Sequence, residues 1–310
     1  HQSLLIAVAV LIITCPCALG LAVPAAQVVA SGALLRKGVM VKDGSALERL
    51  AEVDYALFDK TGTLTLGRPV PVNLDDLDPG QKQIALALAQ ASRHPVSKGI
   101  RTALLAQDIE PAELEDIQEL PGEGMAARWG DVKVMLGKAE KSEDHLSSQL
   151  TVGSDNVVIQ LRDEIRPEAS AAIASLRTQG LPSSIISGDN NRSVSVVASA
   201  LGLTAQAGAS PQEKVEAITR LTDNGHKVLM VGDGLNDGPA LAAAHVSIAP
   251  GTASDVGQQA ADAVFTSDSL MPVALSIRVA RRTMQIVHQN FALAIGYNIF
   301  AVPLALTGMV

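Results

Sequence analysis

Ala56-Leu57-Phe58-Asp59-Lys60-Thr61-Gly62-Thr63-Leu64-Thr65 is the stretch that decides the reading. Three apolar residues suit a short buried strand, and Asp59 emerges at its end as a candidate nucleophile. Gly62 can take a positive φ in a tight turn, while Thr61, Thr63 and backbone N–H groups supply donors to anionic oxygens. This arrangement predicts that Asp59 accepts a phosphoryl group and forms an aspartyl phosphate. An ordinary strand-end turn accounts for an isolated D-x-T-G about as well, so the weight rests on the whole string 59–65.

Outward from it, Gly232-Asp233-Gly234-Leu235-Asn236-Asp237-Gly238-Pro239-Ala240-Leu241 follows a second strand-like run, Lys227 to Val231. Two Asp four apart in a Gly/Asn turn are common turn formers. Beside a phosphoryl-accepting Asp59, their hard oxygens suit Mg²⁺, which screens the charge of nucleophile and phosphate. Ser187-Gly188-Asp189 and Pro211-Gln212-Glu213-Lys214 lie between the two motifs. Asp163-Glu164-Ile165-Arg166 is open to two readings, a phosphorylation-domain segment or a surface salt bridge.

Together these strings resemble P-type ATPases, pumps that pass through an aspartyl phosphate. The resemblance implies an α/β haloacid-dehalogenase-like phosphorylation domain with an inserted α+β nucleotide-binding domain, flanked by transmembrane helices. It implies catalytic roles for Asp59, Lys60, Thr61, Ser187, Lys214, Asp233 and Asp237, with Mg²⁺ on Asp59, Thr61 and Asp233. Ser187 stands where the family usually has Thr and keeps the hydroxyl that bonds the transferred group; Lys214 would neutralise it. Phosphatases of this fold commonly carry a general-acid Asp two residues after the nucleophile. Thr61 occupies that position here, which favours a long-lived intermediate over a phosphatase.

The segment Ser3 to Ala30 has no charged residue and is long enough to span a bilayer. A signal peptide fits poorly: there is no basic n-region and the apolar run is too long. Phe291 to Val310 is a second apolar stretch. Cys15 and Cys17, the only cysteines, flank Pro16 in the first span. A proline there breaks or kinks the helix and brings both sulfurs toward a common soft-metal site. Two buried small hydrophobes are the competing reading.

Cys15-Pro16-Cys17 is similar to the transport helix of heavy-metal (type IB) P-type ATPases, and Tyr297-Asn298 to that of the copper(I) and silver(I) pumps. Zinc and cadmium pumps tend to place a lysine in the last helix, and no lysine follows Lys227. The resemblance thus implies ATP-driven export of Cu⁺ or Ag⁺, with Cys15, Cys17, Tyr297 and Asn298 as ligands. Residues 25–32 and 38–48 look like the FixI/CcoI-type pumps, which implies a link to cbb-type oxidase assembly and copper(I) donor and acceptor proteins.

Basic residues Arg36, Lys37 and Lys42 trail the first span, and Arg278, Arg281 and Arg282 precede the last. Both ends of the middle region therefore face the cytoplasm. The expected location is a bacterial inner membrane, in contact with lipid, with the ATP-binding region cytoplasmic. A composition change marks an insert, giving domains 1–42, 43–70, 71–158, 159–270 and 271–310. In the insert, His94-Pro95 matches an adenine-contacting S-x-H-P element, and Gly122, Gly124 and Gly137 the glycines beside the nucleotide. Arg93 and Lys138 depart from the common copper-pump pattern of Glu and Asn.

A net charge of −8, no basic patch and 2% aromatic residues give no sign of nucleic-acid binding. No T-G-E loop or Cys-x-x-Cys module occurs, so the chain is expected to be the carboxy-terminal half of a longer pump. Three alternatives stay open: a membrane-tethered phosphatase of the same fold, a zinc/cadmium-type pump, and a passive copper-binding membrane protein.

Overall fold

The computed structural model describes residues 17–139, 147–234 and 236–307, with side chains from Val23 onward. They fall into two compact units, His1–Leu57, Ser170–Ser183 and Pro211–Val310 in one, Phe58–Ala169 and Ser184–Ser210 in the other.

In the first unit, α1 (Cys17–Leu35) leads to β1 (Val39–Val41), α2 (Gly44–Glu52) and β2 (Tyr55–Phe58). The second unit takes the chain through β3 (Thr65–Pro71), α3 (Pro79–Ala91), α4 (Pro95–Leu105), β4 (Glu115–Leu120), β5 (Gly124–Trp129), β6 (Val132–Lys138), β7 (Ser147–Val152) and β8 (Asp155–Ile165). After α5 (Ala169–Thr178) come β9 (Ser183–Ile186), α6 (Asn191–Leu201) and β10 (Thr204–Gln206). Finally, α7 (Pro211–Asp223), β11 (Val228–Val231), α8 (Gly238–Ala243), β12 (Val246–Pro250), α9 (Asp255–Ala260), β13 (Ala263–Phe265) and α10 (Met271–Leu306) complete the first unit.

The strand order in the first unit is β1-β13-β12-β11-β2. β11, β12 and β13 run parallel, and β1 closes the edge antiparallel to β13. Every residue of β11, β12 and β13 is buried. Such continuous apolar strands are what a sheet covered on both faces requires. Asp59 directly follows β2, and the Gly232–Asp233 turn directly follows β11.

In the second unit β3, β8, β7, β6, β5 and β4 form an antiparallel six-stranded sheet in that order. Its core joins Ile84, Leu88 and Ile100 of the helices to Met125, Leu136 and Ile159 of the strands. α3 starts at a capping box, Asp78 with Gln81, and Pro79 at its first turn. α3 and α4, the latter with Pro95 at its first turn, are the insert's two helices. The expected insert edges at 71 and 158 fall at the end of β3 and within β8, because those strands run on into the insert's sheet.

α10, about 54 Å long by the helical rise, is among the described residues long and apolar enough to cross a membrane. Beyond Phe291 its Leu293, Ile295, Ile299 and Phe300 are exposed. Half of the expected first span, including Cys15 and Pro16, lies outside the described residues, as does the side chain of Cys17. Pro24 lies inside α1.

Candidate active site

Asp59 follows β2 directly and is only 6% exposed. The turn after it is held by side chains. Gly62 takes φ +72°, in the left-handed region, which lets the chain reverse. Arg166, itself buried, donates from Nε to the Thr63 carbonyl and from Nη2 to the Gly62 carbonyl, each at 2.7 Å. The Thr65 hydroxyl donates to the Asp163 carboxylate, lies 3.1 Å from the Lys60 carbonyl and accepts from the Gly62 N–H at 3.3 Å. The segment Asp163–Arg166, at the end of β8, is therefore a clamp on the phosphate-type turn rather than a surface salt bridge.

Asp189 supplies the other wall. Its carboxylate pairs with buried Lys60 at 2.7 Å and accepts from the Thr61 hydroxyl at 2.7 Å, while Lys60 also donates to Ser193 Oγ at 2.9 Å. Ser187 directly follows β9, is buried, and accepts from the Asp189 N–H at 3.2 Å. The two threonines part company: Thr61 faces Asp189, whereas the Thr63 hydroxyl is buried with no partner among the described residues. Burial pushes the Asp163 carboxyl above the usual carboxylate range, against the Thr65 hydroxyl and the Lys60 charge.

A cleft of about 770 Å³ opens beside this turn, lined by Lys60, Thr61, His94, Asp163, Asp189 and Arg192 among others. His94 caps α4, its Nδ1 accepting from the Val96 N–H at 3.3 Å. The expected glycines are not among the lining residues. Gly124 and Gly137 face each other in register across β5 and β6. A Cβ on Gly124 would sit 2.3 Å from the Leu136 carbonyl oxygen, and one on Gly137 2.1 Å from that of Glu123. Close strand packing accounts for both glycines; Gly122 turns at φ +82° in open space.

In the first unit, Asp233 and Asp237 follow β11 with carboxylate oxygens within 4.8 Å of one another. Lys214 of α7 and Asp237 form a buried pair at 2.5 Å. Lys214 is thus matched by a carboxylate of its own unit, a partner the sequence pattern did not reveal. The donor set is hard oxygen, which fits magnesium. On α10, Asn298 has a buried Oδ1 with no partner among the described residues, while Tyr297 is 60% exposed. Successive helical residues diverge by roughly 100°, which separates the two.

Asp189, Ser193 and Thr65 were not singled out from the sequence for these contacts. Asp189 carried a signal, its place in the Ser187-Gly188-Asp189 string. Thr65 carried one as well, its place in the string 59–65, whereas Ser193 carried none, because its role depends on contact with a residue far away in the chain.

Residues 53–245 match the haloacid dehalogenase-like hydrolase family. Over 99% of its length the chain is 50% identical to the nitrogen fixation protein FixI of Rhizobium leguminosarum bv. viciae, and over 98% it is 38% identical to a copper-exporting P-type ATPase of Mycobacterium tuberculosis. It spans 42% of either relative. A zinc-transporting PIB-type ATPase in an E2.Pi state superposes with TM-score 0.82 at 34% identity, over 96% of this chain and 52% of that one. The catalytic domain of a CPx-ATPase, CopB-B, gives 0.69 at 30% identity, over 80% of this chain and 98% of that one. The chain belongs to the haloacid dehalogenase-like hydrolase family, with the fold of the catalytic region of heavy-metal, PIB-type P-type ATPases.

Proposed function

We propose that this chain is the phosphorylation and nucleotide-binding part of a copper(I)-exporting P-type ATPase. The observation that carries the reading is Asp59: a buried carboxylate at a strand end, in a turn clamped by Arg166 and Asp163 and opening beside the cleft that His94 also lines.

A carboxylate oxygen of Asp59 attacks the γ-phosphorus of ATP. The bond from phosphorus to the β,γ-bridging oxygen breaks, ADP leaves, and an aspartyl phosphate remains. Lys60, Thr61 and Asp189 fix the turn, so the attacking oxygen needs little reorganisation. His94, which lines the cleft, would meet the base. Ser187 and Lys214 would stabilise the transferred group, Lys214 after yielding part of its pairing with Asp237. Asp59, Thr61 and Asp233 would hold magnesium, which supplies charge screening for the anionic reactants. With Thr61 where a phosphatase keeps its acid, the acyl phosphate persists long enough to do work on attached helices.

The copper assignment is supported by Cys15 and Cys17, by the Oδ1 of Asn298, which has no partner among the described residues, and by the absence of lysine after Lys227. The basic residues beside the spans support a cytoplasmic ATP site, and the ion would be released across a bacterial inner membrane. Copper donor and acceptor proteins and cbb-type oxidase assembly are partners that the FixI likeness suggests. Competition of the purified chain with a copper(I) chelator tests the metal: about one Cu⁺ is bound, and the Cys15→Ser/Cys17→Ser variant loses it. Zn²⁺ binding without Cu⁺ binding would move the reading to a zinc-type pump.

A further inference from the structure

The turn that carries Asp233 is packed on α9 by direct backbone contact. A Cβ on Gly234, which sits at φ +81°, would lie 1.9 Å from the Cα of Gly257. A Cβ on Gly257 would lie 2.1 Å from the Asp233 carbonyl oxygen and 2.7 Å from the Cα of Gly234. The obstructing atoms are backbone, so no flexible side chain can give way. Ser254, the cap of α9, ties the two segments: its N–H donates to the Asp233 carbonyl at 3.2 Å, and its hydroxyl accepts from the Gly257 N–H at 3.1 Å. Gly257 is buried although its helix neighbour Val256 is 63% exposed.

We infer that Gly257 and Ser254 are positioning residues for the magnesium site: the first turn of α9 is a backplate that sets where the Asp233 carboxylate stands. Gly257 is missing a side chain because the Asp233 carbonyl occupies that space. The inference rests on Asp233 being a magnesium ligand. It adds a requirement that the ligand residues alone do not contain, namely that a helix about twenty residues downstream must be bare at one position.

The test is Mn²⁺ binding to the full chain, read as loss of the free-ion paramagnetic resonance signal, with nucleotide binding measured on the same samples in the absence of metal. Gly257→Ala is expected to weaken Mn²⁺ binding about tenfold, as loss of an outer-shell support does, with nucleotide affinity within about twofold of the parent. Val256→Ala, on the exposed face of the same turn, should leave both unchanged. Mn²⁺ binding by Gly257→Ala within twofold of the parent overturns the inference. Should that variant lose nucleotide binding and so prove misfolded, Ser254→Ala decides, since it adds no volume. A roughly threefold weakening, the scale of a lost cap, supports the backplate, and parental binding overturns it. If Asp233→Asn binds Mn²⁺ like the parent, the metal reading of Asp233 falls, and the inference with it, whatever Gly257→Ala shows.

Discussion

The turn after β2 and the turn after β11 each present a carboxylate at a strand end, yet they are held in different ways. The Asp59 turn is fixed by side chains reaching in from distant parts of the sequence: Asp163 from β8, Arg166 just after it, and Asp189 from the loop after β9. The Asp233 turn is held by backbone packing where side chains are missing, Gly234 against Gly257, with the Ser254 N–H on the Asp233 carbonyl and the ion pair of Lys214 with Asp237 beside it. A side-chain clamp is removed by truncation and a glycine contact by enlargement. The two turns should therefore fail under opposite kinds of substitution.

The largest effect is expected where a buried charge loses its partner. Lys214→Met leaves Asp237 unpaired in the interior and should cost about 3 to 5 kcal/mol of stability. Chemical denaturation checks this, and adding Asp237→Asn should recover most of the loss without restoring phosphorylation. Arg166→Met strips two charge-assisted bonds from the Asp59 turn, at about 3 kcal/mol. Phosphorylation should fall further than nucleotide binding in that variant, as measured by label incorporation against a binding titration.

Enlarging a glycine outside the catalytic turns sharpens the contrast. Gly124→Ala should lower stability by about 2 kcal/mol through overpacking of β5 on β6. Phosphorylation at saturating ATP should persist, because that pair lies away from the cleft lining. His94→Ala removes a cap, at about 1 kcal/mol, and should raise the ATP concentration for half-maximal labelling while leaving the plateau intact. The smallest effect is a pH dependence. The folded carboxyl of Asp163 titrates above its unfolded value, so the folded state binds the extra proton between the two. Stability is then fully present below the unfolded value and declines as pH rises through the folded one. Asp163→Asn should flatten that part of the denaturation profile.

Much of this was legible from residues. The apolar run 56–58 read as a strand and is one, and Lys227 to Val231 led to β11. Ser-x-His-Pro placed His94 on the cleft. The limits have physical causes. A helical or strand period reports which face is buried, but it does not report which distant side chain meets it. Hence Asp189 on Lys60 and Lys214 on Asp237 emerged only from the fold. Glycine is ambiguous for the same reason. Gly124 and Gly137 read as room for a nucleotide, and the fold shows that each also makes room for a neighbouring strand. Gly257 drew no notice because the backbone it accommodates lies more than twenty residues away.

The central claim is that Asp59 takes the γ-phosphoryl group of ATP. Brief incubation of the chain with γ-labelled ATP and Mg²⁺, followed by acid quench, tests it most directly, with Asp59→Asn alongside. The account predicts protein-bound label that hydroxylamine removes, present in the parent and absent from the variant. Absence of label in a parent chain shown to bind ATP, or equal label in Asp59→Asn, would contradict it.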